Sequence, residues 1–173
     1  MIEDAYKIRC EKTTDINEHL PVLRKLASQV DHVTEFGVRE GNSTIAFAAA
    51  NPSRLISYDI EQIPADLEAQ IAAFLPRFSF SFIRADVLTV EIEPTDLLFI
   101  DSFHTYAHLK KELELHANKV RKYIVFHDTE SFGMQGEDGS TPGLNAAINE
   151  FVLEEGWTMN HYANNNGLTV LTR

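Results

Sequence analysis

Two short runs of this chain could do chemistry. Asp101-Ser-Phe-His104 and His127-Asp128 each join a carboxylate to an imidazole. An unperturbed histidine has a pKa of about 6.5, so His104 could take a proton from a hydroxyl as general base. Asp101 and Asp128 could instead share a hard divalent cation such as magnesium, which would acidify and orient that hydroxyl. His127 is a further candidate ligand, although imidazole favours softer metals. It could equally orient Asp128 or face the core.

A second group of residues suits binding. Glu35-Phe-Gly37-Val-Arg-Glu-Gly41-Asn42-Ser43-Thr44 places two glycines before a helical segment, so backbone could approach a ligand closely. This is neither the G-x-G-x-x-G dinucleotide pattern nor a phosphate-gripping loop ending in Lys-Ser/Thr, which argues against a ligand held through pyrophosphate. Asp59 ends the next apolar run, and an ionised carboxylate can accept from two ribose hydroxyls. Glu35 could face an ammonium group. Asp86-Val87 follows the third run. A nucleoside that carries an amino group and a carboxylate fits such a set. Each feature has a plainer reading as a turn or cap, so the case rests on joint placement.

The elements that must position these residues alternate. Apolar spacing of three and four predicts a helix over Asp15 to Val30, with Thr14 or Asp15 as cap. Further helices are expected over 42–50 (capped by Asn42 or Ser43), 65–75 between Pro64 and Pro76, 106–120 and 143–155. Strands are expected over 32–37, 54–59, 78–83, 96–101 and 122–127. Two more, over 157–162 and 168–172, flank the turn-rich 163–167. Alternating strands and helices predict a parallel sheet covered on both faces. The short final connection requires an antiparallel pair. The expected fold is therefore α/β, a three-layer sandwich. Its mostly parallel, Rossmann-like sheet has five parallel strands plus a C-terminal antiparallel hairpin. Ligands of such sheets bind beyond the carboxyl ends of the strands, where Glu35, Asp59, Asp86, Asp101, His127 and Asp128 gather. The glycine-rich loop 129–142 is a candidate lid.

Composition narrows the partners. The 173 residues are 44% hydrophobic and 24% charged, as in ordinary globular chains. With 15 Lys and Arg against 26 Asp and Glu, the net charge is −11, which opposes nucleic acid and anionic membrane surfaces. No apolar stretch approaches a membrane span. Cys10 is the single cysteine, and the first residues are polar, so a cytoplasmic location is expected.

On these motifs the chain resembles the class I S-adenosylmethionine-dependent methyltransferases from Val33 onward. Glu35 to Thr44 is similar to the family's first motif, Asp59 to its ribose-binding acid and Asp86-Val87 to its adenine-contacting pair. Phe99-Ile-Asp-Ser-Phe-His-Thr-Tyr106 with Ile124-Val-Phe-His-Asp-Thr129 resembles the subgroup called methyltransferase domain 24, which includes cephalosporin hydroxylase-like proteins. The resemblance implies S-adenosylmethionine as cofactor, bound by Glu35, Gly37, Gly41, Asn42, Ser43, Asp59, Ile60, Asp86, Val87 and Asp101. It implies catalysis by His104 and Asp101, with Asp101, His127 and Asp128 holding any Mg2+. The expected acceptor is a hydroxyl on a small molecule, such as a sugar. Residues 1–31 are expected as an N-terminal arm and helix and 32–173 as the methyltransferase domain, with residues 1–13 available for a homo-oligomer contact. The competing readings are a metal-dependent hydrolase and a non-catalytic nucleoside-binding domain.

Overall fold

The computed structural model describes residues 2–73 and 78–173. Seven strands form one sheet in the order β3-β2-β1-β4-β5-β7-β6. They are β1 His32–Phe36, β2 Arg54–Asp59, β3 Ser79–Arg84, β4 Thr95–Ile100, β5 Val120–His127, β6 Thr158–Tyr162 and β7 Leu168–Thr172. The first five run parallel, and β7 pairs antiparallel with both β5 and β6. This is the expected three-layer sandwich with its reversed hairpin.

Period-two alternation sorts the strand side chains onto two faces. Val33, Leu55, Leu97, Phe99 and Val125 face a core built with α1 Ile2–Glu11, α2 Leu20–Ala27, α3 Asn42–Ala50 and α4 Ala65–Ala72. Phe36, Ile56, Leu98, Ile124 and Phe126 face a second core under α5 Tyr106–His116 and α6 Leu144–Glu155. Among the described residues, no helix is long and apolar enough to cross a membrane.

Several boundaries differ from the sequence expectation. The expected arm is α1, which buries Tyr6 and is tied to α2 by the Arg24–Glu3 pair, both contacts at 2.8 Å. Tyr6 of α1 and Leu20, Leu23 and Ala27 of α2 thus belong to the main core. The helix expected from Asp15 begins at Leu20, because Pro21 in its first turn lacks the N–H that an interior position would need. Thr14 caps a preceding turn, accepting the Asn17 N–H at 3.1 Å. The cap of α3 is Gly41, not Asn42 or Ser43. Helix α5 ends at His116, and a 3-10 turn over Ala117–Lys119 leads into a longer β5. Leu75 and Pro76, the expected end of α4, lie outside the described residues.

Candidate active site

Five parallel strands bring their carboxyl ends to one edge. There the Gly37 N–H donates to the Tyr58 carbonyl and the Asp101 N–H to the Phe36 carbonyl, both at 2.9 Å. Gly37 has φ +83°, and a Cβ there would overlap the Asp101 carbonyl. Only glycine lets the loop after β1 pass this close to the end of β4.

Asp59 stands where the sequence put it, at the end of β2, and its carboxylate organises the glycine loop. Oδ2 accepts the Val38 N–H at 2.7 Å and the Arg39 N–H at 3.1 Å, while Oδ1 accepts the Glu61 N–H at 2.9 Å. A carboxylate has about four lone-pair sites, so Oδ1 keeps capacity for one more donor. Beside it lies a groove of about 300 Å3, lined by Gly37, Tyr58, Asp59, Ile60, Asp86, Val87, Asp101, Ser102, Phe103, His108 and Glu137 among others. Asp86 also caps its own turn, with Oδ1 accepting the Leu88 N–H at 2.8 Å.

A second hollow of about 250 Å3 lies on the other side of Arg39. It includes Asp15, Ile16, Val38, Asn42, Ser43 and Asp101. Arg39 and Asp101 border both spaces. The two together reach from Asp86 to the first turn of α3. A further hollow of about 250 Å3 between α5 and α6 contains no strand-end residue.

Glu35 does not line either space. It is fully buried, and three hydroxyls donate to it: Ser43 Oγ to Oε1 at 2.6 Å, and Thr44 Oγ1 and Ser57 Oγ to Oε2 at 2.9 and 2.5 Å. Burial pushes its pKa up to about 7, although the hydroxyls favour the charged form. The expectation that Glu35 faces an ammonium group is therefore corrected. Its carboxylate joins β1, β2 and α3 beneath the loop. Ser43 spends its hydroxyl on Glu35 and reaches the hollow only at its surface.

Asp101, His104 and Asp128 converge, with ligand atoms within 4.8 Å of one another. His104 Nε2 lies 3.1 Å from Asp101 Oδ1 and 3.4 Å from Asp128 Oδ2. Burial would lower the His104 pKa, but the bond to Asp101, the charge of Asp128 and the bond to Glu137 outweigh it and raise the pKa to about 9. Burial likewise opposes ionisation of Asp101, yet bonds from both histidines hold its carboxyl below the usual range. These carboxylates favour the charged imidazolium of His104 over the neutral base expected from its ordinary value.

His127 is buried. Its Nδ1 lies 3.3 Å from Asp101 Oδ1, and its Nε2 is held by the Asp15 carbonyl at 3.2 Å. Its ring also packs edge-on against His19. The converging trio is Asp101, His104 and Asp128, where the sequence suggested His127 as the imidazole. Asp128, at φ +59°, directs a buried Oδ1 that lacks a hydrogen-bond partner among the described residues, with His127 Nδ1 3.5 Å away.

Two further residues hold His104 in place. Phe132 stacks on the His104 ring at 5.1 Å, with planes 19° apart. Glu137 accepts the His104 N–H at 3.1 Å through Oε1 and meets ring Nδ1 at 3.3 Å through Oε2. Both lie in the 129–142 loop, which is ordered by its own bonds, including Gly136 N–H to Ser140 C=O at 2.9 Å and Gly143 N–H to Met134 C=O at 2.9 Å. Its three glycines marked this segment as a candidate lid.

Comparison with known proteins agrees with this architecture. Residues 34–129, more than half of the chain, match the methyltransferase domain family. No curated protein sequence matches the chain. Among solved structures, it is similar to an O-methyltransferase from Bacillus cereus in complex with S-adenosylhomocysteine, at 16% identity and a TM-score of 0.60, covering 99% of this chain and 90% of that one. It is similar to a candidate caffeoyl-CoA O-methyltransferase from Staphylococcus aureus at 16% identity, TM-score 0.65, and the same 99% and 90% coverage. The N-methyltransferase NodS from Bradyrhizobium japonicum WM9, in complex with S-adenosylhomocysteine, aligns at 14% identity and TM-score 0.65 over 99% and 96% of the two chains. The glycine loop latched by Asp59, the groove beyond it and the family match together make this chain a member of the methyltransferase domain family, a class I methyltransferase.

Proposed function

We propose that the protein transfers the methyl group of S-adenosylmethionine to a hydroxyl of a small molecule. The observation that carries this reading is continuity. The groove bordered by Asp59, Asp86 and Val87 runs to Asp101, and Asp101 belongs to the cluster with His104 and Asp128. Adenosine would occupy that groove, with a ribose hydroxyl on Asp59 Oδ1. Arg39, Asn42 and Ser43 would hold the methionine moiety in the adjoining hollow. The sulfonium methyl would then face the carboxylates at the ends of β4 and β5.

Transfer is an in-line displacement. The C–S bond breaks as an O–CH3 bond forms, sulfur keeps the electron pair, and the hydroxyl proton must leave. Asp128, whose Oδ2 lies 3.4 Å from His104 Nε2, is the group we assign to receive it. Two carboxylates and one imidazole, with Asp128 Oδ1 lacking a hydrogen-bond partner among the described residues, fit a divalent cation held by Asp101, His104 and Asp128. Such a cation supplies a lower pKa and a fixed orientation for the acceptor hydroxyl. His127, fixed by the Asp15 carbonyl, orients Asp101. The nucleoside rim is apolar at Ile60 and Phe103, both exposed, while the cluster is acidic. That combination favours a neutral hydroxylated acceptor over a phosphorylated one.

The test is transfer from labelled S-adenosylmethionine to a panel of sugars and phenols, with and without Mg2+ or Mn2+. Label in a methyl ether, lost in Asp128→Asn, supports the reading. Label found only on amines would contradict it.

A further inference from the structure

The loop 129–142 and His104 meet through one residue in three places. The Glu137 backbone N–H donates to the His104 carbonyl at 3.0 Å. The His104 backbone N–H donates back to Glu137 Oε1 at 3.1 Å, and ring Nδ1 meets Oε2 at 3.3 Å. Glu137 thus grips both the main chain and the ring. Phe132, from the same loop, covers the ring's face. Gly136 fits beside the grip because a Cβ there would crowd the His104 carbonyl at 3.1 Å.

Two facts give this arrangement a function. The ring has two nitrogens, and Glu137 occupies Nδ1, which directs Nε2 toward Asp101 and Asp128. A carboxylate on the outer nitrogen fixes ring orientation and sets which nitrogen faces the reaction. Glu137 also borders the nucleoside groove, together with Asp59, Asp86 and Phe103. One side chain therefore touches both the space for the cofactor and the ring beside the transferred methyl.

We propose that Glu137 is a positioning residue that latches the 129–142 loop onto His104, so that filling the nucleoside groove and fixing His104 are one event. The proposal rests on the reading of that groove as the S-adenosylmethionine site. Methyl transfer would begin only with the loop seated, and release of S-adenosylhomocysteine would require it to lift.

Hydrogen exchange and histidine-ring 15N spectra of the full chain, with S-adenosylhomocysteine as the probe, test this without a known acceptor. In the wild type, the probe should slow amide exchange at His104 and across 129–142 by about tenfold or more. Glu137→Ala should speed exchange at His104 about tenfold without the probe, as expected for a lost hydrogen bond to the backbone, and shift the Nδ1 resonance. Amides of β1, β4 and β5 should keep their protection, which shows that the sheet is intact. Glu137→Gln, which keeps an acceptor for the His104 N–H, should restore amide protection but not the Nδ1 shift. Gln135→Ala, in the same loop, should change neither. If the probe binds and Glu137→Ala leaves the ring resonance and His104 exchange unchanged, the latch is wrong while the cofactor reading stands. If the probe does not bind the wild type, the cofactor reading itself fails.

Discussion

Asp59 Oδ2 holds the Val38 N–H at 2.7 Å, which ties the end of β2 to the glycine loop after β1. The bond shapes the loop that a nucleoside must rest on, while Oδ1 keeps room for a ribose hydroxyl. One carboxylate thus builds the site and binds in it.

Asp59→Ala is expected to weaken S-adenosylhomocysteine binding by roughly 10- to 150-fold. That follows from the ~1.5–3 kcal/mol carried by a hydrogen bond to a charged group. Calorimetry measures it directly. Unchanged affinity would move the ribose elsewhere.

Gly37→Ala adds a Cβ against the Asp101 carbonyl at a positive φ. Left-handed backbone alone costs an L side chain about 1–2 kcal/mol, and the overlap adds to it. Urea unfolding should show a loss above 2 kcal/mol, with cofactor binding impaired in the fraction that folds. A neutral result would mean that β1 and β4 do not approach this closely.

Glu35 makes a prediction about pH. Its ordinary pKa is 4.5, and in the folded chain it rises to about 7 because burial outweighs three donated hydroxyls. Between these values the folded chain keeps a proton that the unfolded chain has lost. Stability from this group therefore falls as pH rises from about 4.5 to about 7, then levels. Denaturant unfolding of wild type and Glu35→Gln should diverge across that window and run parallel above it. Glu35→Ala, which orphans Ser43, Thr44 and Ser57, should cost about 3 kcal/mol or more, at ~1–3 kcal/mol for each buried hydroxyl.

The cation reading is checked with Mn2+ by electron paramagnetic resonance. Asp101→Asn or Asp128→Asn should weaken binding at least tenfold, and His127→Asn should act less, since His127 lies outside the converging trio. Equal loss from all three would restore His127 as a direct ligand.

Much of this site could be read from residue order because β2 and β4 are largely apolar runs that stop at an aspartate. Asp59 after Leu55-Ile-Ser-Tyr58 and Asp101 after Leu97-Leu-Phe-Ile100 are such stops. Long-range pairing was not legible. Nothing local shows that Ser43, Thr44 and Ser57 converge on Glu35, so a buried structural carboxylate looked like a ligand-facing one. Glu137 lies 33 residues from His104 in a loop without periodicity. Helix α1 was missed because its apolar face is narrow and reduces chiefly to Tyr6. His127 and His104 have the same chemistry in sequence. Their long-range partners separate them: Glu137 and Phe132 hold His104, while the Asp15 carbonyl and His19 hold His127.

Titration of the wild-type chain with S-adenosylhomocysteine in a calorimeter tests the central claim most directly. One site per chain is expected, with the heat abolished or sharply reduced by Asp59→Ala. Absence of any binding to folded wild-type protein would contradict the assignment of the groove at Asp59, Asp86 and Val87 as a cofactor site, and methyl transfer with it.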